Sequence, residues 1–124
     1  MNNVYTLVCG GKYSTSSQPK EITTPNYPSN YFPNLDCQWQ VRSARKATVA
    51  VIFEDFQVHY KSHVKVYSGM LVNGKLLGYA KSNERIFTSV ESLSISFDSG
   101  NLYSSDVQRG FKARIQESKY KFLI

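Results

Sequence analysis

The sequence predicts an all-β fold, an antiparallel β-sandwich of two packed sheets, and three observations carry that expectation. Short segments alternate apolar and polar residues with a period of two, as strands with one buried face do. Turn chemistry punctuates them at Ser68-Gly69, Asn73-Gly74, Ser99-Gly100-Asn101 and Gly110. No segment keeps a helical period for longer than about ten residues.

Taken in order, Cys37, Trp39 and Val41 share one strand face, opposite Gln38, Gln40 and Arg42. The stretch from Ala47 turns Val49, Val51 and Phe53 inward and continues to Phe56 and Val58. Val64 and Val66 then alternate with His63, Lys65 and Tyr67. Met70-Leu71-Val72 and Lys75-Leu76-Leu77 flank Asn73-Gly74, which predicts a tight hairpin with positive φ at both central residues. Leu93, Ile95 and Phe97 alternate with Ser92, Ser94 and Ser96, and Phe111, Ala113 and Ile115 with Lys112, Arg114 and Gln116. Each strand is expected to pack one face and wet the other. The alternation spans about residues 9–117, inside a single domain of residues 1–124 with residues 118–124 as a tail.

The chain has 124 residues, room for one hydrophobic core, and nine Tyr, seven Phe and one Trp to fill it. That content excludes a disordered chain. No apolar run approaches the roughly 20 residues of a membrane-spanning helix, so no membrane span is expected. Met1-Asn2-Asn3-Val4-Tyr5 lacks the basic-then-apolar order of a secretory leader. Either a leader has been removed or the protein stays in the cell, and the cysteines favour removal. Cys9 and Cys37 lie too far apart for a zinc site, which leaves a disulfide or two buried thiols.

Fifteen Lys and Arg against nine Asp and Glu leave a net charge of +6. The excess favours acidic partners and equally serves solubility. Arg42, Arg45 and Lys46 bracket one turn; Lys112 and Arg114 share an outward strand face, with Lys119 and Lys121 following. These are the candidate ligand-binding cations. Nucleic acid is not expected, because only Lys65 and Tyr67 offer the basic–aromatic interleaving that a strand-binding face needs.

Catalysis is not expected either. No Ser sits in a Gly-x-Ser-x-Gly elbow, and there is no His-Glu-x-x-His helix or phosphate-cradling glycine loop. Glu54 and Asp55 are strand neighbours, expected on opposite faces, and so do not converge as an acid–base pair.

Between the cysteines runs Thr24-Pro25-Asn26-Tyr27-Pro28-Ser29-Asn30-Tyr31-Phe32-Pro33-Asn34-Leu35-Asp36-Cys37-Gln38-Trp39, preceded by Cys9-Gly10-Gly11. This resembles the CUB-domain signature. Phe53-Glu54-Asp55-Phe56, Val64-Lys65-Val66-Tyr67-Ser68-Gly69, Leu77-Gly78-Tyr79, Leu93-Ser94-Ile95-Ser96-Phe97 and Gly110-Phe111-Lys112-Ala113 extend the likeness over nearly the whole chain. The resemblance implies a jelly-roll-like sandwich of about ten strands, a Cys9–Cys37 disulfide and a non-catalytic, secreted binding module without a cofactor. It implies an extracellular protein or an acidic, glycosaminoglycan-like glycan as partner, as for the spermadhesins. Two alternatives stand beside this. One is a dimerisation or interaction module of a larger secreted protease or complement-type protein. The other is a matrix or egg-coat component that forms homo-oligomers.

The chain departs from the family twice. Ala80 stands where a second disulfide would end, and no cysteine lies between Phe56 and Val64. The family's acidic calcium positions fall on His59, Ser62 and Gly100, with Asp98 and Asp106 nearby, which implies a degenerate site that holds no metal. His59 and His63 straddle the same loop; they read as a pH switch, half of a zinc site, or ordinary loop residues, with no third ligand evident.

Overall fold

A computed structural model describes residues 6–16, 18–71 and 73–118. Nine strands run through them: β1 (Leu7–Thr15), β2 (Lys20–Thr23), β3 (Leu35–Ser43), β4 (Thr48–Gln57), β5 (His63–Ser68), β6 (Lys75–Tyr79), β7 (Ile86–Val90), β8 (Ser92–Asp98) and β9 (Gly110–Glu117). Nine described strands stand against the expected ten or so. They form a five-stranded sheet of order β1-β3-β8-β5-β6 and a four-stranded sheet of order β2-β9-β4-β7. Every described pairing is antiparallel except β1 with β3, which run parallel.

The period-two faces meet between the sheets. Cys37, Trp39, Val41, Leu93, Ile95 and Phe97 face Val49, Val51, Phe53, Phe111 and Ile115, all buried. Phe111 is the hub: its ring centroid lies 5.4 Å from Trp39, 5.1 Å from Phe53 and 5.8 Å from Phe97, each edge-on. Edge-on packing sets the positive rim of one ring against the negative face of the next. Cys9 and Cys37 are bonded and lie opposite each other in the β1–β3 register.

Three local expectations are corrected. The register slips between Phe53 and Asp55, and this bulge keeps both Phe53 and Phe56 in the core. Glu54 and Asp55 therefore do not split between core and solvent; each carboxylate binds an arginine outside. The hairpin is not the two-residue type. Met70 and Leu71 lie outside any strand, Gly74 is not left-handed, and the connection from β5 to β6 is entered through Gly69 at φ 79°. The serine face of β8 is not wet: Ser92 and Ser94 are buried, and Ser94 Oγ donates to Gly69 O at 2.7 Å.

The strands also set two distinct ends. At one, Leu7 N donates to Asn34 O and Asn34 N to Gly100 O. At the other, Glu117, its side chain only 3% exposed, accepts from Thr15 Oγ1 (2.9 Å), Ser43 Oγ (2.8 Å) and Arg45 Nε (2.6 Å). The hydrogen bonds from Ser43, then Thr15 and Arg45, hold its carboxyl below the ordinary carboxylate range.

Candidate functional site

The candidate cations do not form one patch. Arg42 projects from the outer face of the five-stranded sheet and is exposed, with no hydrogen bond or ion pair to its side chain among the described residues. Arg45 is committed to Glu117, and Lys46 sits at φ 58° in the β3–β4 turn. Lys112 and Arg114 lie on β9, in the other sheet, where Arg114 reaches Glu54 at 3.9 Å. Arg42 and the Lys112–Arg114 pair therefore belong to opposite faces of the sandwich. Lys119 and Lys121 lie outside the described residues.

On the outer face of the five-stranded sheet, Lys12 was missed. Parallel pairing sets Lys12 opposite Gln40 and Ser14 opposite Arg42. Lys12, Tyr13, Ser14, Gln40, Arg42 and Met70 line a groove of about 370 Å³, with Met70, after β5, reaching it from across the sheet. Lys12, like Arg42, has no carboxylate within ion-pair distance among the described residues. Period two puts Lys12 and Ser14 on one face of β1, but only the pairing direction brings them beside Arg42.

The degenerate calcium positions do gather, at the end where Leu7 meets Asn34. His59 N donates to Tyr31 Oη (3.1 Å), and Ser62 Oγ donates to Ser99 O (2.8 Å). Tyr31 therefore gives its hydroxyl hydrogen to Ser62 Oγ, 2.9 Å away, completing a directed chain. Asp98 Oδ1 accepts from Gly100 N. Asp106 holds His59 Nε2 and Lys61 Nζ, each at 3.6 Å, and accepts from Tyr103 N. Among the described residues no three His, Cys, Asp or Glu side chains are grouped to hold a metal.

A third polar group is tied off. Asp55 accepts two hydrogen bonds from Arg109, at 2.7 and 2.8 Å, and one from Tyr27. The Arg109 bonds foremost, then Tyr27, lower its pKa from 3.8 to about 2. A carboxyl depressed in the folded state stabilises above its unfolded pKa, and the contribution is lost as pH falls through the folded one. Asp55→Asn is therefore expected to be less stable than the parent at neutral pH, with the gap closing as pH falls from 4 toward 2. Urea unfolding at stepped pH measures this; a gap independent of pH contradicts it.

The comparisons follow the same architecture. A CUB domain profile matches residues 9–115. Human cubilin is 34% identical over 115 residues, covering 89% of this chain and 3% of cubilin. Human tolloid-like protein 1 is 32% identical over 119 residues, covering 90% of this chain and 11% of that protein. The chain thus spans a small part of the relatives it matches. The crystal structure of the MASP-1 CUB2 domain bound to Ca2+ superposes with a TM-score of 0.67 at 22% identity, over 87% of this chain and 99% of that one. With two sandwiched sheets, a Cys9–Cys37 bond and a profile match over residues 9–115, this chain belongs to the CUB domain family.

Proposed function

We propose that residues 9–117 act as one non-catalytic, extracellular interaction module that takes an acidic ligand, a sulfated glycan or an acidic protein segment, in the groove on the outer face of the five-stranded sheet. One observation carries the reading: Lys12 and Arg42, neither with a carboxylate partner among the described residues, converge on a concave surface. Unpaired cations on a shared wall attract an anion without first breaking an internal ion pair, which Arg45 would have to do at Glu117. The oxidised Cys9–Cys37 pair suits a location outside the reducing cytosol. The small shares of cubilin and tolloid-like protein 1 that this chain spans favour a second reading, a module within a longer secreted protein, with the same groove as its contact.

Calcium does not fit this chain. The ion needs six to eight oxygen ligands, carboxylates among them. Here Asp106 already holds an imidazole and an ammonium, and the Ser62 hydroxyl is spent on Ser99 O and Tyr31. Lys61 thus supplies a positive charge from the chain itself, and the module is expected to bind its ligand without metal.

Immobilised heparin is the test. Lys12→Ala/Arg42→Ala should elute at clearly lower sodium chloride than Lys112→Ala/Arg114→Ala, although both lose two charges. Screening within about 10 Å at 0.1 M salt makes local convergence count for more than net charge. Equal elution of the two variants rejects the groove.

A further inference from the structure

A second concavity lies at the opposite edge of the five-stranded sheet, between the loop after β4 and the segment after β6. Phe56, Val58, Val64 and Ala80 form its apolar part, and His59, Tyr60, Ser62, His63, Tyr79, Lys81 and Ser82 its polar part. We propose that this cavity is an anchor site for an acidic–aromatic segment of a partner protein, the apolar ring entering the cavity and the adjacent carboxylate facing Lys81 and His63. The proposal rests on the interaction-module reading but on none of the groove's residues.

Size comes first. At about 280 Å³ the cavity falls just under the range that holds whole drug-sized ligands, and suits one anchoring side chain. Such anchors, single large side chains in desolvated pockets, carry most of the energy of many interfaces. Tyr60, 82% exposed, and Tyr79 leave aromatic surface around the opening for a partner to cover.

Charge selects the sign. Among the described residues no Asp or Glu lines the cavity. Lys81 has no ion pair among the described residues, and it meets Glu84 only through backbone bonds. Outside the lining, Asp98 stands opposite His63 in the β5–β8 register and accepts from Gly100 N, and Asp106 is occupied by His59 and Lys61. An incoming carboxylate therefore meets cationic and neutral groups, whereas an incoming ammonium finds no free acid in the lining.

The walls are built in advance. The His59–Tyr31–Ser62–Ser99 chain fixes one side, together with the Ser62 N to His59 O bond of 2.9 Å. The Ala80 N to Val64 O bond, also 2.9 Å, fixes the other. A preformed cavity spares the ligand the ordering of a loop.

Phenylacetate and phenethylamine are paired probes, one ring with opposite charges. In an amide-resolved NMR titration, phenylacetate should give saturable shifts confined to residues 58–64 and 79–82, with a dissociation constant in the range of about 1 to 10 mM expected for so small a ligand. Phenethylamine should bind at least about fivefold more weakly. Lys81→Glu, an exposed change whose preserved spectrum reports an intact fold, should bring the two probes to parity. Lys12→Ala/Arg42→Ala should leave phenylacetate binding unchanged. The proposal is overturned by absent or scattered shifts, by equal binding of both probes to the parent, or by indifference to Lys81→Glu. Heparin elution is untouched by those outcomes, so failure here and failure of the groove are told apart.

Discussion

Replacing both Cys9 and Cys37 with alanine is expected to lower the unfolding free energy by about 3 to 4 kcal/mol. The bond closes a loop of sequence separation 28 and so removes much of the freedom of the unfolded chain. The folded state suffers too, because β1 is an edge strand whose Leu7 and Val8 are exposed and which pairs only with β3 in its sheet. Urea unfolding of the parent and the double variant gives the difference. Hydrogen exchange adds a spatial check: amides of β1 should lose protection more than those of β8, which is paired on both sides. A uniform loss across both strands, or a change below about 1 kcal/mol, would show that the β1–β3 ladder holds without the bond.

Phe111→Ala should cost about 3 to 5 kcal/mol, the range for an aromatic ring deleted from a packed core. Phe111 is fully buried and touches rings from both sheets, so its removal leaves a void at the sandwich centre. Total stability of such domains is about 5 to 15 kcal/mol, so the variant stands near the unfolding threshold. Val90→Ala, at an exposed position of β7, is the matched control and should stay within about 0.5 kcal/mol. Trp39, 5.4 Å from the Phe111 ring, supplies the fluorescence signal for thermal and urea melts. A loss comparable to that of the control would mean that the core closes over the gap.

The strand faces were legible because period two needs only neighbouring residues. Val49, Val51 and Phe53 declare themselves, but the bulge after Phe53 went unread, since Glu54 and Asp55 were expected on opposite faces of a regular strand. Pairing was not legible. Nothing in Leu7–Thr15 says that it runs parallel to Leu35–Ser43, and Lys12 joins Arg42 only through that direction. The buried serines of β8 were misread because a partner they bond to, Gly69, comes from elsewhere in the chain. At the loop end, the resemblance marked His59, Ser62 and Gly100, yet Lys61 went unnoticed. Its role depends on Asp106, 45 positions later, folding back to meet it. Local pattern reports which face is buried; only the tertiary arrangement reports which charges become neighbours.

The two ends of the sandwich have a mechanical meaning. Leu7 enters beside Asn34, while Ser118 leaves beside Thr48, at the far end of β3. Tension applied through these two points runs along the strands instead of across them. The β1–β3 ladder is then loaded in shear, so that its hydrogen bonds must fail together, not in turn like a zipper. Cys9 and Cys37 pass that load covalently into β3, a strand held on its other side by β8. A domain so strung resists stretching along its strands.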